Sequence, residues 1–203
     1  YFVVKGSDND YEYANCFDTG TLEQSYKRGD FQPLTIGTGN TVTFDSSRKD
    51  SDGDDELLSN EDDYNRIAAI PSVSYGIATV ANNITLKEGD EILVIDEQFP
   101  SNIYSWKKLA DTYNATLKTI SAPNSRENKT KQWNQDIIGA ITEKTAVVAL
   151  GNIHWSNGSL FNLKAIREKT KVHNALLIID GSQSIGALPF SIKEIRPDAL
   201  ICA

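Results

Sequence analysis

The chain has 203 residues, of which 39% are hydrophobic and only six are proline, a composition that supports a packed core and argues against disorder. Its net charge is −8, and with no basic stripe to neutralise phosphates a nucleic-acid partner is not expected. No apolar run approaches the ~20 residues that span a bilayer, so no membrane partner is expected either.

The first sixty residues lack a regular rhythm. Residues 34–44, "LTIGTGNTVTF", read as two short strands about a glycine-rich turn. Residues 45–63 hold nine acids against two bases, which leaves a charge of only −1 for all the rest of the chain, and they read as a solvated loop. Two motifs here imitate known sites. Asp18, Thr19 and Gly20 form the tripeptide of aspartic proteases, but that chemistry needs two carboxylates sharing a proton and the second copy is missing. Asp50, Asp52, Asp54 and Glu61 fall at calcium-loop positions one, three, five and twelve, yet Asp55 stands at the sixth, where the turn requires glycine. No metal is expected. A boundary near residue 60 separates residues 1–63, a region of uncertain fold, from residues 64–203.

From Arg66 onward short apolar runs alternate with amphipathic segments. The runs are residues 66–70, 91–96, 115–120, 145–150, 175–180 and 198–203. A helix is predicted from near Ser74, after a serine-rich bend. Residues 101–113 place Ile103, Trp106, Ala110 and Tyr113 on one helical face, and residues 132–142 do the same with Trp133, Ile137, Ile138 and Ile141. Asn162 is placed to N-cap a helix carrying Leu163, Ile166 and Val172 on its buried side. Strand–helix–strand repetition with near-continuous apolar strands predicts an α/β fold, a mainly parallel sheet with helices on both faces. Such sheets bind ligands at the carboxyl ends of their strands.

Three positions stand there. Asp180 closes the run "ALLIID" and is followed at once by a turn through Gly181, Ser182, Gln183 and Ser184. A carboxylate so placed either caps its own turn or waits for a cation, a metal or a protonated ring nitrogen. Gln183 and the serines are poor metal ligands, and His154 is remote in sequence. Ser74 lies at a predicted helix start, where unpaired N–H groups and the helix dipole favour an anion such as phosphate. Phe99 follows the strand "EILVID" and is either packed or free to stack on a flat ligand. Together they describe one ligand with a phosphate, a flat ring and a protonated ring nitrogen, which is the description of pyridoxal phosphate.

Of the two cysteines, Cys16 and Cys202, the second reads as a small core residue. Four glycosylation-type sequons, at Asn83, Asn114, Asn128 and Asn157, are taken as chance, and a reducing, cytoplasmic setting is expected.

At "IPSVSYGIATVANN", "EQFPSNIYSW", "NIHWSNGSLFNL", "IIDGSQSIGALPF" and "RPDALICA" the chain resembles the class V aminotransferase family, which includes cysteine desulfurase-like and kynureninase-like enzymes. The resemblance covers about residues 64–203 and implies the large domain of fold-type I pyridoxal phosphate enzymes. It implies that Asp180 binds the pyridinium nitrogen, Gln183 the ring hydroxyl oxygen, and that Ser182 and Phe99 cover the two ring faces. Ser74, with the backbone N–H of Tyr75, would hold the phosphate. His154 and Trp155 fall on the substrate side and are the catalytic candidates. The implied chemistry is transfer or lyase chemistry at the α-amino group of a small amino acid, in a homodimer.

Two departures qualify this. Desulfurase-like members usually stack a histidine where this chain has Phe99, and that histidine also moves a proton. The family's Schiff-base lysine falls a few residues beyond Ala203, and Lys193, the nearest lysine in sequence, sits in what reads as a surface turn. The chain is therefore expected to be inactive by itself. The alternative is a non-catalytic fragment or divergent homologue that binds a ligand or partner. An α/β nucleotide-binding module is disfavoured, because no Gly-x-Gly-x-x-Gly follows the first strand.

Overall fold

The structure is a computed structural model that describes residues 2–4, 67–124 and 127–202. The paired strands read at 34–44, the protease-like tripeptide and the acidic, calcium-loop-like segment lie outside the described residues, as does Cys16.

The described residues form seven strands: β1 (Phe2–Val4), β2 (Ile67–Ala69), β3 (Glu91–Ile95), β4 (Thr116–Ile120), β5 (Thr145–Gly151), β6 (Leu176–Asp180) and β7 (Ala199–Cys202). They join in one sheet in the order β2-β1-β7-β6-β5-β3-β4. From β7 to β4 all pairings are parallel, and β1 is antiparallel to both β7 and β2. The mainly parallel α/β sheet is thus as the sequence predicts. The strand at 67–69 differs from expectation by standing outside the parallel set, and β1, from before the boundary at residue 60, joins the same sheet.

Five helices accompany these strands among the described residues: α1 (Val73–Asn82), α2 (Ser101–Tyr113), α3 (Lys129–Ala140), α4 (Leu163–Val172) and the one-turn α5 (Ile192–Ile195). Alternation along the strands splits the core into two layers. Leu93, Ile95, Val148, Leu150, Leu177 and Ile179 meet Trp133 and Ile137 of α3 and Ile166 of α4. Ile92, Val94, Val147, Ala149 and Ile178 meet Ile77 of α1 and Trp106 and Leu109 of α2. Helices therefore cover both faces, which is why the strands are apolar throughout.

The helix ends follow local chemistry. α2 begins right after Pro100 and ends at Asn114, which takes the left-handed conformation (φ 55°) that asparagine tolerates. The side chain of Asn162 accepts from the N–H of Ala165, as its capping role predicts. α3 starts three residues earlier than its apolar pattern suggests, because Lys129, Thr130 and Lys131 extend the first turn without adding to the buried face. Val172 is exposed instead of buried. It is the last residue of α4, past the stripe formed by Leu163, Ile166 and Thr170. Lys193 is exposed on α5, whose Ile192 and Ile195 are buried. Cys202 packs in the core, as its apolar run predicts.

Candidate active site

Asp180 is the last residue of β6. Its neighbours Leu177 and Ile179 face the α3/α4 layer, so alternation turns its side chain toward the α2 side. The residue is 7% exposed. One carboxylate oxygen, Oδ1, accepts from the backbone N–H of Ser182 at 2.9 Å and from its hydroxyl at 2.5 Å. The other, Oδ2, accepts from Nδ2 of Asn102, in the first turn of α2, at 2.6 Å. Among the described residues no cation pairs with it.

Glycines make this strand end possible. A Cβ on Gly181 would collide with Cγ1 of Ile185 and lie 3.1 Å from Cδ1 of Leu200. On the neighbouring strand Gly151 pairs with Asp180, and a Cβ there would lie 2.9 Å from the carbonyl oxygen of Ile153. Bulk at either position would push apart the chain segments that frame the carboxylate.

Beside Asp180 the loop after β3 carries Gln98 and Phe99. Gln98 is buried and donates to the carbonyl of Ala149 at 3.0 Å, which fixes the loop onto β5. Phe99 is 50% exposed and packs edge-on against Trp155 (centroids 5.6 Å apart, planes at 90°). Nε1 of Trp155 donates to the carbonyl of Glu97 at 2.6 Å, so the two loops hold the aromatic pair in place. Glu97 itself is left-handed (φ 51°).

His154 is 2% exposed. Its Nε2 lies 3.0 Å from the carbonyl oxygen of Asp96, and its Nδ1 lies 3.3 Å from the hydroxyl of Ser156. A carbonyl can only accept, so Nε2 carries a hydrogen and donates it to Asp96. The ring also packs on Trp133 at 5.2 Å. One nitrogen thus meets the loop after β3, and the other meets Ser156 in the ring's own loop.

Ile95, Gln98, Phe99, Asn102, Gly151, Ile153, His154, Trp155, Asp180 and Gln183 together line a depression at the carboxyl ends of β3, β5 and β6. Its enclosed space is only about 10 Å³, so a ring would rest in its open mouth. A larger groove of about 540 Å³ runs past Leu160, Phe161, Leu188 and Phe190, but it is mostly apolar and holds no carboxylate. The carboxylate lines the smaller one.

Of the residues singled out in the sequence, Phe99, His154, Trp155, Asp180 and Gln183 line the depression. Ser182 is half-buried beneath it, bound to Asp180. Ser74 and Tyr75 are exposed in the first turn of α1 and do not line it. The cap of α1 is Ser72, whose side chain accepts from the N–H of Tyr75 at 3.1 Å. That N–H, expected for a phosphate, already has a partner. Asn102 and Gln98 were not anticipated. The signal for Asn102 was present: it shares the helical face of Trp106 and Leu109, where a polar residue needs a buried partner.

A parallel α/β sheet with a buried carboxylate at a strand's carboxyl end, beside exposed aromatics and without a cation partner among the described residues, defines a ligand-binding fold of the switch-point type. The model of the aminotransferase class-V family matches residues 59–203, and the chain belongs to that family. A probable cysteine desulfurase of Halalkalibacterium halodurans is 31% identical over 127 residues, covering 63% of this chain and 29% of its own length. The apo cysteine desulfurase of Thermococcus onnurineus NA1 superposes with a TM-score of 0.56 at 20% identity, over 64% of this chain and 32% of that one. A K223A mutant of C-DES, with glycine covalently linked to its PLP cofactor, superposes with a TM-score of 0.55 at 22% identity, over 64% and 34%. The chain thus spans about a third of the length of the relatives it matches.

Proposed function

We propose that this chain is the cofactor-binding part of a pyridoxal phosphate-dependent enzyme acting on the α-amino group of a small amino acid, by transamination or by desulfurase or lyase chemistry. The observation that carries the reading is Asp180, a buried carboxylate facing a depression that no cationic side chain lines among the described residues. Bound there, the cofactor supplies an electron-accepting ring. The Asp180 carboxylate would hold its pyridinium nitrogen through a charge-assisted hydrogen bond, and Gln183, which lines the same depression, would hold a polar substituent of the ring. Phe99 offers an exposed face for stacking, with Trp155 bracing it.

Other roles follow from what these side chains can do. Phe99 can stack but holds no proton, so any acid–base step at its position belongs to another group. His154 positions the loops after β3 and β5. The phosphate is assigned to the first turn of α1, through the Ser74 hydroxyl and the N–H groups of Val73 and Ser74, because Ser72 occupies that of Tyr75. No lysine among the described residues lines the depression, which favours binding without turnover as the second reading for this chain taken alone. A homodimer and the amino-acid substrate belong to the same proposal. A cytoplasmic setting belongs to it as well.

The test is titration of the 203-residue chain with pyridoxal phosphate, followed by tryptophan fluorescence and equilibrium dialysis. Saturable uptake of one cofactor per chain is expected. No saturable binding up to about 1 mM, where association is worth only ~4 kcal/mol, refutes the reading.

A further inference from the structure

Asp180 carries more order than a buried carboxylate needs. Its two oxygens offer about four acceptor positions, and three are filled by donors of the protein itself: two from Ser182 on Oδ1 and one from Asn102 on Oδ2. Ser182 alone anchors only one oxygen and leaves the carboxylate free to turn about its Cβ–Cγ bond. The donor on the second oxygen fixes the plane. It comes from Asn102, which is 5% exposed and 78 residues away in sequence. The backbone N–H of the same Asn102 donates to the carbonyl of Phe99 at 2.8 Å. One residue therefore joins the aromatic platform to the carboxylate, with its main chain on one and its side chain on the other.

We propose that Asn102 is a positioning residue that sets the plane of the Asp180 carboxylate relative to the Phe99 ring, leaving one acceptor position of Oδ2 directed at a cationic ring nitrogen. This rests on the pyridoxal phosphate reading and extends it. The work of the amide is to decide where the anion that would meet the ring is held. An amide suits the role because its NH₂ donates without adding charge, so the negative charge of Asp180 stays available to the ligand. A cationic donor at 102 would satisfy the carboxylate equally well and cancel that charge.

The role differs in a measurable way from simple satisfaction of a buried acid. Two ligands separate them: pyridoxal phosphate, and its 1-deaza analogue, in which a C–H replaces the ring nitrogen. Both share the phosphate and the stacking faces, and only the first can use the oriented carboxylate. The native chain should bind pyridoxal phosphate about tenfold more tightly than the analogue, the worth of one charged hydrogen bond in a partly wet site. Asn102→Leu removes the donor at similar size, and Asn102→Ala removes it together with the side chain. Both should lose most of that preference while their affinity for the analogue stays within about twofold of native. In an Asp180→Asn background, Asn102→Leu should add almost nothing, because the group it orients is gone.

Retention of the preference by the variants overturns the inference, and so does equal weakening of both ligands, the mark of a merely structural role. Thermal melting by circular dichroism accompanies each variant. If neither variant at 102 melts cooperatively, Asn102 is a determinant of the fold and the inference fails. If the native chain binds both ligands equally, the assignment of Asp180 to a ring nitrogen fails first, and this inference with it. No binding at all returns the failure to the cofactor reading.

Discussion

Replacing Asp180 by asparagine keeps the shape of the side chain and removes its charge. The native carboxylate accepts three hydrogen bonds, and an amide has one oxygen to offer in place of two. The least costly arrangement leaves that oxygen at the Ser182 side, where a backbone N–H cannot turn away, and places the new NH₂ against Asn102. Asn102 then flips its own amide to accept. One bond is re-formed in reverse and none is lost outright, so the cost in stability should be small, about 1 kcal/mol by urea denaturation. The ligand is hit harder. The group now facing the ring nitrogen is a donor, and the charge-assisted bond, worth about 1.5–3 kcal/mol, becomes a mismatch. Pyridoxal phosphate affinity should fall by roughly ten- to a hundredfold in a fluorescence titration. A variant that binds as tightly as the native chain would refute the assignment. One that loses several kcal/mol of stability would show that Asn102 cannot flip.

Three further outcomes are expected. Gly181→Ala puts a methyl group against Ile185 and Leu200, both buried, and should cost about 1–3 kcal/mol in urea denaturation; an unchanged midpoint would mean the turn relaxes freely. Trp155→Phe keeps an edge-on ring against Phe99 but loses the bond to Glu97, so stability should fall by about 1 kcal/mol and cofactor affinity by roughly threefold; full retention of affinity would show that Phe99 needs no brace. Borohydride treatment in the presence of pyridoxal phosphate should leave no stable label on one lysine of this chain by peptide mass spectrometry, because no lysine among the described residues lines the depression; a single labelled lysine would contradict that geometry.

The strands, the helices and the place of the site were determined by the sequence itself, because each is a local property. Apolar runs such as residues 175–180 cannot be solvated, amphipathic stretches such as residues 101–113 have one face to bury, and a parallel sheet then sets Asp180 and Phe99 at its carboxyl edge. Capping rules were equally local, and they would have pointed to Ser72 ahead of Ser74 had the helix been started one residue earlier. What only the tertiary structure decided was who meets whom. Asn102 and Asp180 are 78 residues apart, and no spacing rule joins them until the first turn of α2 is brought beside the carboxyl end of β6. The same holds for Trp155 on the carbonyl of Glu97 and for His154 on that of Asp96, each 58 residues away. Residue type told that His154 could move a proton; packing decided that its nitrogens meet the carbonyl of Asp96 and the hydroxyl of Ser156. A side chain's chemistry is carried by the residue, but which of its atoms remain uncommitted depends on neighbours that only the folded chain supplies.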